Sequence, residues 1–225
     1  MHVVANFKMN GSVDFYKAIQ KETKIHKDKD TKIILCPPFI YLPFLKVNNK
    51  NVFLGAQDIA GRESVKGTGK ISGKMLKEFN VSYCIVGHCE LKDDDEMIVC
   101  KIKKALKNKI IPIICVGENN EKDDVTVIQE KLNKYLTEIS REEIIIAYEP
   151  CWSVGSGKTP KIERINAVSD IIKSFCESKR INVKILYGGS VNKSNFSRLK
   201  KANIDGFLIG EQSKDLISFV NFIKE

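Results

Sequence analysis

The sequence predicts a single α/β domain in which eight parallel strands alternate with helices. Three observations carry that reading. Short runs rich in Val and Ile recur at regular intervals along the 225 residues. Within each run hydrophobicity is near-continuous rather than alternating, which marks strands covered on both faces, as in a parallel sheet. Between most runs, apolar residues fall at helical spacing. Eight strand-helix units in one domain suggest a (β/α)8 barrel. An open doubly wound sheet is the alternative, and alternation alone does not separate the two.

The strand candidates, in order, are Val3 to Asn6, Ile33 to Cys36, Val52 to Ala56, Tyr83 to Gly87, Pro112 to Val116, Ile144 to Tyr148, Val183 to Tyr187 and Gly206 to Ile209. Pro112 has no N–H for the ladder and is expected at a strand start. Ile128, Leu132, Tyr135, Leu136 and Ile139 form one helical stripe, and Ile165, Val168, Ile171, Ile172 and Phe175 another. Leu216, Val220 and Ile223 share that spacing near the end. The crossover after the second strand is weak, because Pro37, Pro38 and Pro43 leave only a short helix, about Tyr41 to Val47. A helix from about Asp93 to Lys109 carries Ile98, Ile102 and Leu106 on one side. Lys101, Lys103, Lys104, Lys107 and Lys109 crowd the same stretch and read as its solvated face. Without a linker, repeat or low-complexity tract, residues 1–225 read as one domain.

Composition excludes some classes of function. At 43% hydrophobic and 29% charged residues, the chain has enough apolar material to fold, which rules out wholesale disorder. No apolar run approaches the roughly 20 residues of a membrane span, and MHVVANFKMN does not read as a secretory signal. The net charge of +9 suits nucleic acid or an anionic metabolite, but no nucleic-acid recognition motif accompanies it, so no nucleic-acid partner is expected. Seven cysteines without a CxxC, and only three histidines, offer no zinc spacing. They read as reduced thiols of a cytoplasmic protein, mostly buried.

Parallel strands place their C-terminal ends on one face, where active sites lie in both candidate architectures. Asn6 and Lys8 follow the first strand, Gln57 the third, and His88, Cys89 and Glu90 the fourth. Glu149 follows the sixth and opens a segment, Pro150 to Lys158, that reads as a lid with an apolar tip and glycines for hinging. Gly188, Gly189 and Ser190 follow the seventh strand, and Gly210 and Glu211 the eighth. Open backbone amides near helix starts suit a phosphate, and the last two strands of a barrel are where phosphate sites recur. Glu149 at the lip of a dry strand is a candidate base with a raised pKa. His88 at a helix start is expected neutral, and Lys8 supplies a positive charge. A base, a neutral donor, a cation and a phosphate cradle together suit proton abstraction beside a carbonyl in a small phosphorylated substrate.

The motifs ANFKMNG (5–11), GHCE (87–90), ICVGE (114–118), AYEPCWSVGSGKT (147–159), YGGSV (187–191) and DGFLIG (205–210) resemble those of the triosephosphate isomerase family, in the family's order and over nearly the whole chain. The resemblance implies a (β/α)8 TIM barrel that interconverts dihydroxyacetone phosphate and glyceraldehyde 3-phosphate through an enediolate, with no metal or organic cofactor. It assigns Glu149 as the base, His88 as the electrophile, Lys8 as the charge partner, Asn6 as a substrate contact and Glu90 as the carboxylate beside Lys8. It assigns the backbone amides of Gly155, Ser190, Gly210 and Glu211 to the phosphate, and places Val154 and Leu208 around Glu149 under a closed lid. It also implies a homodimer through the polar loop from Gln57 to Ser72, with Thr68 at its tip.

Several positions depart from the family pattern. Phe7 replaces tryptophan, and Cys89 replaces serine in GHSE. Leu91 and Lys70 replace an arginine and a glutamate that pair across the family's dimer interface, so the dimer is expected to persist without that pair. Pro160 has no N–H for the tyrosine matching Tyr187 to hold in the closed lid, which predicts one latch fewer, with Ser190 left to hold the lid near Gly157. Glu211 replaces a glycine. A carboxylate about 6 Å from a phosphate would cost on the order of 2–3 kcal/mol per charge, so its side chain is expected to face solvent.

Overall fold

The computed structural model describes residues 1–62 and 66–224. Its eight strands close into a barrel in sequence order, every neighbouring pair parallel and β1 joined to β8, which decides between the two architectures. The strands are β1 (His2–Asn6), β2 (Lys32–Cys36), β3 (Val52–Ala56), β4 (Val81–Val86), β5 (Ile111–Val116), β6 (Glu143–Tyr148), β7 (Asn182–Tyr187) and β8 (Gly206–Ile209). Pro112 is the second residue of β5, opposite Cys84.

Near-continuous hydrophobicity has a direct cause. Along each strand, alternate residues serve two different cores. Val4, Ile34, Ile85, Ile113, Ile145, Leu186 and Leu208 fill the barrel interior. Val3, Ile33, Ile114, Ile146 and Phe207 face the helices. Both sets are buried, so no polar face survives.

The helices form the outer layer. They are α1 (Val13–Lys24), α2 (Gly73–Glu78), α3 (Asp95–Lys107), α4 (Thr126–Leu136), α5 (Ile162–Ser178), α6 (Lys193–Leu199) and α7 (Leu216–Lys224). Ser12, Ser72, Asp94 and Asn192 cap α1, α2, α3 and α6, each side chain accepting a backbone N–H of the first turn. No helix among the described residues is long and apolar enough to cross a membrane.

Four expectations need correction. The crossover after β2 is a 3-10 helix at Phe39–Phe44 rather than a helix over Tyr41 to Val47, and Pro43 lies inside it. α3 is shorter than Asp93 to Lys109, because Asp94 takes the cap position and Asn108 the other. Lys101 is not on the solvated face. It is 5% exposed, and its Nζ lies 2.7 Å from Asp58 and 2.6 Å from Asp93. In α7 the buried face is Phe219, Phe222 and Ile223, while Leu216 and Val220 are half-buried. The loop from Gln57 to Ser72 contains residues 63–65, which lie outside the described residues. Its tip turns at Gly67 to Lys70 with Thr68 exposed.

Candidate active site

Strand alternation carries the site residues to the barrel mouth. Val4, Ala147, Leu186 and Leu208 point into the barrel. Two positions further along each strand, Asn6, Glu149, Gly188 and Gly210 keep that facing at the C-terminal end. All four border one cavity of about 280 Å³, together with Lys8, His88, Val154, Gly155, Ser190 and Glu211. Of the predicted site residues, only Glu90 lies off this cavity, and its carboxylate pairs with Lys8 Nζ.

Gly87 sits at φ +74°, which turns the chain sharply after β4 and brings His88 inward. His88 is 5% exposed. Its Nδ1 accepts the Glu90 N–H at 3.2 Å. A ring nitrogen that accepts a hydrogen bond carries no proton, so in the neutral ring the proton is on Nε2. Nε2 faces Glu149 Oε1 at 3.8 Å.

Glu149 is 4% exposed. Its N–H donates to Val116 O at 2.8 Å, which fixes the backbone. Oε2 has no hydrogen-bond partner among the described residues. Burial pushes its pKa up, with His88 and Cys115 opposing. A proton acceptor held in this state is a stronger base than a hydrated carboxylate. The first glycine after β7 makes room for it: a Cβ on Gly188 would meet Glu149 Cγ at 2.6 Å.

Lys8 occupies left-handed backbone at φ +50°, uncommon for a residue with a side chain. Gln57 holds it there, donating from Nε2 to the carbonyls of Lys8 and Cys36, each at 2.9 Å. The Lys8 N–H donates to Asn6 Oδ1 at 3.1 Å. For Glu90, burial pushes the pKa up, but Lys8 outweighs it and holds the carboxyl below its ordinary value.

The segment expected to act as a lid is anchored at its start by a buried acid, Glu118. Glu118 Oε1 accepts from Tyr148 Oη at 2.9 Å, Trp152 Nε1 at 3.1 Å and Arg164 Nε at 3.1 Å. Its carbonyl accepts the Cys151 N–H at 2.9 Å. The site residue that sequence reasoning missed is Ser153. Its Oγ donates to Lys158 O at 2.7 Å, meets Tyr187 Oη at 3.1 Å and accepts the Ser190 N–H at 3.2 Å. The Ser190 N–H, expected to hold a closed lid near Gly157, donates here to Ser153. Its small polar side chain in an apolar-tipped lid was the available signal. Gly155 and Gly157 have φ of +68° and +77°. Glu211 turns outward as expected, its carboxylate 2.6 Å from Lys214 Nζ.

Comparison with known proteins gives the family. A family model described as triosephosphate isomerase matches residues 1–225. A triosephosphate isomerase of Clostridium botulinum (strain Loch Maree / Type A3) is 36% identical, over 98% of each chain. One from Albidiferax ferrireducens is 33% identical over 98% of this chain and 96% of its own. One from Emericella nidulans is 35% identical over 94% and 92%.

Proposed function

The chain belongs to the triosephosphate isomerase family and is an isomerase, and from that premise we propose that it interconverts dihydroxyacetone phosphate and D-glyceraldehyde 3-phosphate through an enediolate. Glu149 removes the proton from the carbon beside the carbonyl. His88 polarises the carbonyl oxygen from Nε2–H and moves protons between the two oxygens. Glu149 then returns its proton to the neighbouring carbon. This division of roles is the family's established one. Lys8 offsets the negative charge of the enediolate, Glu90 orients Lys8, and Asn6 contacts substrate. No metal or organic cofactor enters the scheme.

The observation that carries the reading is the pairing of a buried Glu149 with His88 Nε2, 3.8 Å apart, in a cavity that ends at glycine backbone. The phosphate would sit at that end, on the amides of Gly155, Ser190, Gly210 and Glu211. Lid closure would press Val154 and Leu208 around Glu149 and exclude water, which strengthens the base. The same reading includes a cytoplasmic homodimer joined through the loop around Thr68, supported by the exposed Thr68 turn and by Met9, 99% exposed next to Lys8.

A coupled assay with glyceraldehyde 3-phosphate tests the reaction and the base together. Rapid turnover is expected, and Glu149→Gln should lower it by about 10³-fold. A folded native protein without turnover would overturn the assignment. Unchanged turnover in the variant would remove Glu149 from its role.

A further inference from the structure

Three thiols gather beside the Glu149–His88 pair, outside the substrate cavity. Cys115 on β5 is buried against Glu149. Cys89 follows His88, and Cys151 lies two residues after Glu149. Cys89 and Cys151 are half-buried, and both border a second opening of about 320 Å³. Among the described residues, that opening shares only His88 and Glu149 with the substrate cavity. Cys89 and Cys151 line this opening together, close enough for each thiol to shift the titration of the other. Lys131 borders the same opening, with its Nζ on Gly117 O at 2.6 Å.

We propose that Cys89 and Cys151 form a redox-modification site for hydroperoxides, with Cys151 the thiol that reacts with the peroxide and Cys89 the resolving one. The Cys151 thiolate attacks the O–O bond of a hydroperoxide. An S–O bond forms, the O–O bond breaks, and a hydroxide or alkoxide leaves, taking up a proton from solvent. The Cys89 sulfur then attacks the Cys151 sulfur. The S–S bond forms, the S–O bond breaks, and the oxygen leaves as water with the Cys89 proton. In sum, two thiols and one hydroperoxide give a disulfide, an alcohol or water, and one further water. The peroxide takes the two electrons that the thiols lose.

The surroundings sort the thiols into these roles. The neighbouring Cys89 thiol draws the Cys151 thiol down to about 7, and Lys131 adds to this against burial, Glu149 and Glu118. Cys89 is pushed up, first by the Cys151 thiol and then by burial. Cys115 is pushed well up by burial, which makes it inert. Cys100, half-buried on α3, is an internal comparator.

The full-length protein, reduced and then exposed to hydrogen peroxide, tests this by alkylation and peptide mass spectrometry. The expected product is a Cys89–Cys151 crosslink that dithiothreitol reverses. Before oxidation, Cys151 should alkylate about tenfold faster than Cys100. Cys89→Ser should leave a sulfenic acid at Cys151 that dimedone traps, and Cys151→Ser should leave Cys89 unoxidised. Equal alkylation of Cys151 and Cys100, or oxidation of Cys89 without Cys151, would overturn the proposal. So would a native protein that takes up peroxide without the crosslink. A disulfide here ties the residue after His88 to the base of the lid, so isomerase activity should fall reversibly with crosslinking. That activity readout alone rests on the function proposed above. The mass readout does not, so a crosslinked protein that never had activity would count against that function and not against the thiol pair.

Discussion

At Glu149, the burial that would serve the proposed base works against the fold. The ordinary carboxyl value is 4.5, and burial raises it in the folded protein. Between those two values the folded state keeps a proton that the unfolded state has lost. Stability is therefore full below the ordinary value and falls as pH rises through the folded one. Glu149→Gln removes this penalty. Thermal melts should show the variant more stable than the native protein at neutral pH, with the difference closing near about pH 4. A variant less stable at neutral pH would mean that the carboxylate is solvated or paired. The residue types at the site were legible in the sequence, because each follows a strand. The facing of Asn6, Glu149, Gly188 and Gly210 was legible in principle from alternation. The need for glycine at 189 was not: a Cβ there would run into Tyr187 Oη and meet Ser153 Oγ at 2.6 Å, the latter on a segment distant in sequence.

Among the elements, the lid and α3 show where local pattern stops being informative. Pro160 has no N–H for the latch expected with Tyr187, and Ser153 gives that hydroxyl a partner. Ser153 also occupies the Ser190 amide proposed for the phosphate. Phosphate binding and lid movement then compete for one donor. Ser153→Ala should release it and tighten phosphoglycolate binding about threefold to tenfold, the worth of one hydrogen bond. Titration calorimetry reads this directly, and weaker binding would show that Ser153 supports the closed lid instead. On α3, periodicity placed Lys101 in a basic stretch. Tertiary packing buries it between Asp58, after β3, and Asp93, after β4. Burial alone would lower its pKa, but the two carboxylates outweigh this and raise it. Lys101→Met leaves two acids facing each other without their cation. A loss of about 3–5 kcal/mol is expected in denaturant titrations, against near zero for a lysine on a solvated face.

For the whole molecule, the proposed dimer rests on the loop around Thr68. Thr68→Arg places a charged side chain at the tip and should shift sedimentation equilibrium from dimer to monomer, with activity falling in step. A monomeric native protein would instead show that replacing the expected charge pair by Leu91 and Lys70 has abolished association. The net charge of +9 fits an anionic substrate, and steering of that kind weakens as salt is added.

The sequence by itself determined the count and order of strands, because a strand buried on both faces has to be apolar throughout. It also determined the set of polar residues at the strand ends, because only there does an α/β fold tolerate them in one place. Closure into a barrel was decided by tertiary structure, through the pairing of β1 with β8, residues separated by nearly the whole chain. The partners of Lys101, the seat of Ser153 and the meeting of Cys89 with Cys151 were decided in the same way. Each depends on distances between segments that no local pattern encodes.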